Sequence, residues 1–336
     1  MTQDAVLITG ACGEIGQALL KNIAAEDRRQ LVTVDLKPLP EELEGKSTHI
    51  MSDLLDQELH QHLSEEYQFD LIYHMAAMLS TTAEYKPRAA HKVNAGGTID
   101  LLSLAADQSA QSGNPVKFIF PSSIAVYGLP DIKTKNQVHP VRETEWTQPT
   151  TMYGCTKLYC EKTGRYFSEN YLQLSDEIPT RLDFRALRFP GLISAFTIPS
   201  GGTSDYGPEM VHSAAKGEPY NCFVRPDVKI PFMAMSDAVR SLQMLAAAPV
   251  ENLTSRIYNV TSFSLTASEF KKLVLQGFPE AEINFVPDPK RQAIVDTWPA
   301  EIDDNTARRD WGWKPEYDAA RTCQDYLLPN IRKRYA

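Results

Sequence analysis

Tyr153 and Lys157 stand four residues apart in Tyr153-Gly154-Cys155-Thr156-Lys157. If the segment is helical, the two share one face, a turn apart. A phenol ordinarily ionises near pH ~10, too high for a base at neutral pH. A neighbouring ammonium favours the phenolate and lowers that value. Such a pair can take the proton from a substrate hydroxyl. Ser123 closes the run Val116-Lys117-Phe118-Ile119-Phe120-Pro121-Ser122-Ser123 and can hydrogen-bond the same oxygen. Taken alone, a Tyr-x-x-x-Lys spacing is common by chance and reads more readily as a helix-surface pair.

A second pattern, near the start of the chain, supplies the context. Ala5-Val6-Leu7-Ile8-Thr9 is apolar and uncharged, and Gly10-Ala11-Cys12-Gly13-Glu14-Ile15-Gly16 follows at once. Leu19, Leu20 and Ile23 then recur at helical spacing, and Leu31-Val32-Thr33-Val34 ends in Asp35. Strand, glycine loop, helix, strand and acid form the order of a dinucleotide-binding unit. Gly10 turns the chain off the strand, Gly13 keeps side chains from a pyrophosphate, and Gly16 lets the helix pack close. Gln17 to Ala25 reads as that helix, whose N-terminus carries partial positive charge, and Glu14 and Ile15 of the loop before it are candidate cofactor contacts. A turn that binds nothing is the bland alternative, and the ordered context argues against it. Asp35 at the second strand end accepts hydrogen bonds from ribose hydroxyls and repels a 2′-phosphate. Lys37 does not replace it, so the expected cofactor is NAD rather than NADP.

The elements needed to position these groups are legible through the first half. Thr48 to Met51, Asp70 to His74 and Val116 to Phe120 read as strands. Leu55 to Glu66, Arg88 to Gln108 and Met152 to Leu174 read as helices between and after them. This alternation predicts an α/β fold with a doubly wound parallel sheet (Rossmann). Ligands bind such sheets beyond the carboxyl ends of the strands. Asp35, Asp53 with Leu54, Ala76 with Ala77, and Ser123 fall at such ends. Tyr127 to Thr151 reads as a loop, and Asp183 to Phe189 as a sixth strand entering Pro190-Gly191. Beyond it the alternation blurs. Helices are expected at Tyr206–Lys216, 237–247 and 268–276, with short strands at 257–260 and 283–286. Residues 1–186 are expected to form the NAD-binding domain. Residues 187–336 form a smaller α+β substrate lobe, partly interleaved with it.

Bulk properties exclude several classes. The 336 residues are 43% hydrophobic and 23% charged, ordinary for a soluble globular protein. A net charge of −9 argues against a nucleic-acid partner. The apolar runs are too short to span a bilayer, and too few residues precede the first strand for a removable leader. Five cysteines without metal or redox spacing point to a reducing, cytoplasmic setting and no metal.

Over nearly its whole length the chain resembles the extended short-chain dehydrogenase/reductases. The three-glycine loop, Asp53, Val93-Asn94, Ser123, Tyr153 and Lys157 carry that resemblance. The second half is similar to the short-chain type of L-threonine 3-dehydrogenases, in Leu187-Arg188-Phe189-Pro190-Gly191, Gly201-Gly202-Thr203-Ser204-Asp205-Tyr206 and Arg291-Gln292-Ala293-Ile294-Val295-Asp296-Thr297-Trp298-Pro299. The resemblance implies NAD-dependent oxidation of the L-threonine 3-hydroxyl. Tyr153 would be the base, Lys157 would hold it ionised, and Ser123 would orient the hydroxyl. It implies Asn94 and Pro190 beside the cofactor, and Ser80, Thr203 and Ser204 on the amino acid. It also implies a homodimer built on the helices 88–108 and 152–174. Two departures stand out: Ala83 replaces a loop glycine, expected to narrow the entrance, and Ser204 replaces a threonine. One methyl is worth roughly 1–3 kcal/mol of discrimination, so another small hydroxy acid or amino acid is an open alternative. A nucleotide-sugar epimerase uses the same Ser, Tyr and Lys, but Arg188-Phe189-Pro190 lacks the asparagine usual there. A cofactor-sensing regulator would typically lack the Tyr-Lys pair.

Overall fold

Ala5, Val6, Leu7 and Ile8 are wholly buried, as in a parallel strand covered on both faces. In the computed structural model, which describes residues 4–199 and 202–335, they lie in β1 (Asp4–Thr9). Ser200 and Gly201 of the glycine-threonine loop lie outside the described residues. The chain continues with α1 (Glu14–Glu26), β2 (Gln30–Asp35), β3 (Thr48–Met51), α2 (Gln57–Glu66) and β4 (Gln68–His74). Next come α3 (Ser80–Tyr85), α4 (Pro87–Ala90), α5 (Gly97–Ser112), β5 (Lys117–Ser123), α6 (Ile132–Gln137) and α7 (Met152–Glu169). Then follow β6 (Asp183–Phe189), β7 (Gly191–Ile193), α8 (Tyr206–Lys216), β8 (Tyr220–Cys222), β9 (Lys229–Ala234) and α9 (Met235–Ala247). The last labelled elements are β10 (Ile257–Asn259), β11 (Phe263–Thr266), α10 (Ala267–Gly277), β12 (Ile283–Phe285) and α11 (Pro289–Asp296).

The chain divides into two compact units. The first takes the residues up to Ser122, Cys155–Leu187 and Leu242–Ile257. The second takes Ser123–Gly154, Arg188–Ser241 and the chain from Tyr258 onward. Strands β5 and β6 and helix α7 run through the boundaries.

The first unit is built on a seven-stranded sheet in the order β3-β2-β1-β4-β5-β6-β10. β1 pairs in parallel with β2 and β4, β2 with β3, and β4 with β5. The order reverses direction between β1 and β4, the switch point where ligands bind in such sheets. Leu7, Val32, Ile72, Phe118 and Phe184 of five strands share one core with Leu101, Leu102 and Ala105 of α5. A wide π-helical turn, His91–Gly96, joins α4 to α5. The expected helix over 88–108 is thus interrupted at the turn that carries Asn94.

The second unit holds a three-stranded sheet, β11-β9-β7, and a parallel pair, β12-β8. β11 runs antiparallel to β9, and β7 parallel to it. The run 127–151, expected to be loop, contains α6. Asp131 caps this helix by accepting the Thr134 N–H at 2.7 Å. Apart from Ile132 its residues are polar and only Lys135 is buried, so no apolar stripe announced it. The expected strand at 257–260 joins the edge of the seven-stranded sheet as β10. Helix α7 stops at Glu169 rather than Leu174, which is 96% exposed and buries nothing.

Candidate active site

The glycine loop and the acid after β2 form one hydrogen-bonded structure. Gly10 adopts φ +67°, and a Cβ there would sit 2.5 Å from the Ala76 amide nitrogen after β4. No side chain fits at this crossing of two loops. A Cβ on Gly16 would run into the Gly10 carbonyl oxygen. Gly13 is the N-cap of α1 and contributes no side-chain cap. Glu14 is exposed and Ile15 half-buried behind it. The Cys12 N–H donates to Asp35 Oδ2 at 2.9 Å, and the Lys37 N–H to Oδ1 at 3.1 Å. The loop's own backbone therefore holds the carboxylate at the end of β2. Asp53 is exposed, its Oδ1 accepting the Leu55 N–H at 3.0 Å, while Leu54 is buried. Ala76 and Ala77 are half-buried.

Behind this cradle runs a buried polar chain that motif reasoning did not find. Thr9 Oγ1 lies 2.7 Å from His74 Nδ1, and His74 Nε2 lies 2.9 Å from Thr98 Oγ1. Thr98 Oγ1 donates to the Asn94 carbonyl at 2.5 Å. The Asn94 amide accepts the Met78 N–H at 2.7 Å and donates to the Met78 carbonyl and Thr156 Oγ1, each at 3.1 Å. The Ala76 N–H donates to Thr9 Oγ1 at 3.4 Å. Asn94, expected beside the cofactor, thus uses its amide to fix the segment after β4 against α7. Burial, and secondarily the charge of Lys157, push His74 down to about 3, so the ring is neutral at its hub position. The partners of His74 lie 65 and 24 residues away, beyond any local signal.

Lys157 is 3% exposed. Its Nζ donates to the Pro121 carbonyl at 2.6 Å and lies 4.5 Å from the centroid of the Phe120 ring. Burial pulls the ammonium down to about 8. In the second unit, Ser123 Oγ accepts the Ala125 N–H at 3.2 Å. Thr151 Oγ1 accepts the Gly154 N–H at 3.1 Å in the first turn of α7. A Cβ on Gly154 would run into the Ala125 carbonyl oxygen. The turn bearing Tyr153 is thereby pressed against the turn that follows Ser123. Tyr153 is half-buried, and burial pushes its phenol above the ordinary range. The direction is opposite to the lowering expected beside Lys157, because desolvation opposes the anion.

Thr203 is buried and Ser204 half-buried, with Ser204 Cβ lying 3.3 Å from the position of a Cβ on Gly191. Pro190 is buried between β6 and β7. Ser80 starts α3, and Ala83 is a wholly buried residue of that helix. Ala83 thus packs inside a helix where loop was expected. A further cluster was missed. Arg188 Nη1 donates to Tyr127 Oη at 2.9 Å and to the Glu143 carbonyl at 2.6 Å, and Tyr127 Oη donates to Asn259 Oδ1 at 2.7 Å. Among the described residues, no group of three His, Cys, Asp or Glu side chains could hold a metal ion. No described helix is long and apolar enough to cross a membrane.

Residues 6–261 match the NAD dependent epimerase/dehydratase family. The chain is 32% identical over 317 residues to the mitochondrial L-threonine 3-dehydrogenase of Bos taurus, covering 94% of this chain and 80% of that protein. A solved GalE-like L-threonine dehydrogenase from Cupriavidus necator, in its holo form, superposes with a TM-score of 0.84 at 34% identity, covering 97% of this chain and 99% of that one. The L-threonine 3-dehydrogenase of Trypanosoma brucei superposes with a TM-score of 0.85 at 30% identity, covering 98% and 97%.

Proposed function

The chain belongs to the NAD dependent epimerase/dehydratase family, and from that premise we propose that it oxidises the 3-hydroxyl of L-threonine to 2-amino-3-ketobutyrate with NAD. The observation that carries the substrate is the similarity, over nearly the full chain, to relatives named L-threonine dehydrogenases. The observation that carries the chemistry is α7, which presents Tyr153 and Lys157 a turn apart, its first turn packed on the turn after Ser123.

The residues present fit a nicotinamide dinucleotide. At the Gly10 crossing the loops after β1 and β4 meet without room for a Cβ, and Asp35 is held by the Cys12 and Lys37 amides. We assign the phosphates to Gly10, Gly13, Glu14, Ile15 and Gly16. The ribose goes to Asp35, and the adenine end to Asp53 and Leu54. Ala76, Ala77, Asn94 and Pro190 belong with the nicotinamide half. Asp35 favours NAD, whose free 2′-hydroxyl it can accept from. When bound, NAD supplies the hydride acceptor. Tyr153 takes the hydroxyl proton, Ser123 orients the oxygen, and Lys157 contributes positive charge and a ribose contact. Ser80, Thr203 and Ser204 hold the amino acid. Because burial raises the Tyr153 phenol, ionisation requires the Lys157 charge in place at the moment of proton transfer.

We assign cofactor binding to the first unit and the threonine-holding loop to the second. We further propose a homodimer through α5 and α7, on which Tyr159 is 45% and Tyr166 43% exposed. The five cysteines are free thiols, which supports a cytoplasmic setting. NADH formation screened over L-threonine, L-serine, 3-hydroxybutyrate and UDP-sugars tests the reading. Turnover of L-threonine above the rest supports it, and turnover of a different member reassigns the substrate.

A further inference from the structure

Arg291 was noted in the sequence only as part of a matching stretch. In the structure its guanidinium lies over the Phe223 ring, with Cζ 3.1 Å from the centroid. From there Nη2 donates to the Gly202 carbonyl at 2.8 Å. Gly202 opens the loop that carries Thr203 and Ser204. The same carbonyl accepts the Asp205 N–H at 3.2 Å, and the Gly202 N–H donates to Asp205 Oδ2 at 2.6 Å. The loop is thus closed on itself by Asp205 and tied to a distant helix by one arginine.

That arginine is held from both sides. Asp288 caps α11 by accepting the Lys290 N–H at 2.8 Å and the Arg291 N–H at 3.0 Å. The segment bearing Phe223 is locked to the same helix. Asp288 N–H donates to the Phe223 carbonyl at 2.9 Å, and the Arg225 N–H donates to Gln292 Oε1 at 2.6 Å. Arg225 also grips Asp296 through two bonds of 2.9 and 3.0 Å. Ring, helix and guanidinium are therefore cross-linked to one another by several hydrogen bonds, and the Gly202 carbonyl meets that assembly through Arg291. A planar guanidinium can stack and donate in its plane together, which an ammonium cannot do.

We propose that Arg291 is a positioning residue: stacked on Phe223, it latches the Gly202 carbonyl and so sets where Thr203 and Ser204 meet the substrate. This role rests on the assignment of those two hydroxyls to L-threonine. It predicts that losing the latch weakens productive substrate binding and leaves cofactor binding alone, since Arg291, Phe223 and Gly202 all belong to the second unit.

The test combines kinetics with hydrogen exchange on the full-length protein. Arg291→Met is expected to raise KM for L-threonine on the order of tenfold, with KM for NAD within about twofold of wild type. The Gly202 and Asp205 amides should exchange faster than in wild type. Arg291→Lys should retain most of that defect, and Phe223→Leu should reproduce part of it. These last two variants also serve if Arg291→Met fails to fold. Unchanged exchange at the two amides, an equal rise in both KM values, or a wild-type KM in Arg291→Lys would each overturn the latch. If wild type does not turn over L-threonine, the substrate reading fails, and the exchange arm still decides the latch.

Discussion

The Lys157 ammonium donates to the Pro121 carbonyl across 2.6 Å, in a site where burial brings its pKa to about 8 against an ordinary 10.5. Between those values the unfolded chain holds a proton that the folded protein has released. Stability therefore rises with pH through that window, and the burial penalty is present in full below about 8. Lys135, also near 8 through burial, adds a slope of the same sign. Lys157→Met should flatten the rise in urea midpoint between pH 8 and 10 by its own share, leaving that of Lys135. The same variant should lose at least ~100-fold in turnover. An unaltered pH slope would show that Lys157 ionises in the fold as it does in water.

His74 makes the opposite end of the pH range informative. Its folded value near 3 lies below the ordinary 6.5. Between these the unfolded chain binds the extra proton, so wild type loses stability as pH falls from 6.5 toward 3. His74→Gln should remove that part of the acid sensitivity. It should also cost about 1–3 kcal/mol at neutral pH, because Thr9 and Thr98 lose the ring that joins them. Denaturation at neutral pH and at pH 5 separates the two effects.

Asp35 governs cofactor choice. Asp35→Asn keeps the shape and one acceptor for the Cys12 and Lys37 amides but removes the charge. The ratio of kcat/KM for NAD to that for NADP should fall by about tenfold or more. A ratio that does not move would take Asp35 out of the ribose site.

Gly10 and Gly45 share the left-handed conformation, at φ +67° and +73°, but only Gly10 faces a neighbour within 4 Å. Gly45→Ala should cost only backbone strain, on the order of 1 kcal/mol. Gly10→Ala adds a collision with the backbone of Ala76, so it should cost ~1–3 kcal/mol more and abolish NAD binding by calorimetry. Equal effects at the two positions would mean that the crossing of the loops after β1 and β4 is not tight.

The first half of the fold was legible because a doubly covered parallel strand leaves an unbroken apolar run, as at Ala5–Ile8, and because glycines are required where backbones cross. Thr48–Met51, Asp183–Phe189 and Tyr206–Lys216 fall where the pattern put them. The second unit was read less well because its strands are short. β7 and β8 have three residues each, too few for a period of two to register, although the equally short β10 and β12 fall within the expected 257–260 and 283–286. The polar helix α6 is fixed by a cap and one buried lysine, not by a stripe. Within the site, Tyr153, Lys157 and Ser123 announced themselves by type and spacing. His74, Arg188 and Arg291 did not, since each acts through partners tens of residues away. The raised Tyr153 phenol was also out of reach, because desolvation depends on what surrounds a residue and not on its spacing from a lysine.

The central claim is that Tyr153 removes the proton from the L-threonine hydroxyl while NAD is reduced, and the most direct measurement is NADH formed from L-threonine by wild type and by Tyr153→Phe. Wild type should release NADH and 2-amino-3-ketobutyrate in equal amounts. The variant should turn over at least ~100-fold more slowly with its KM for NAD preserved. NADH formation by Tyr153→Phe at the wild-type rate, or none by wild type with L-threonine, would contradict the account.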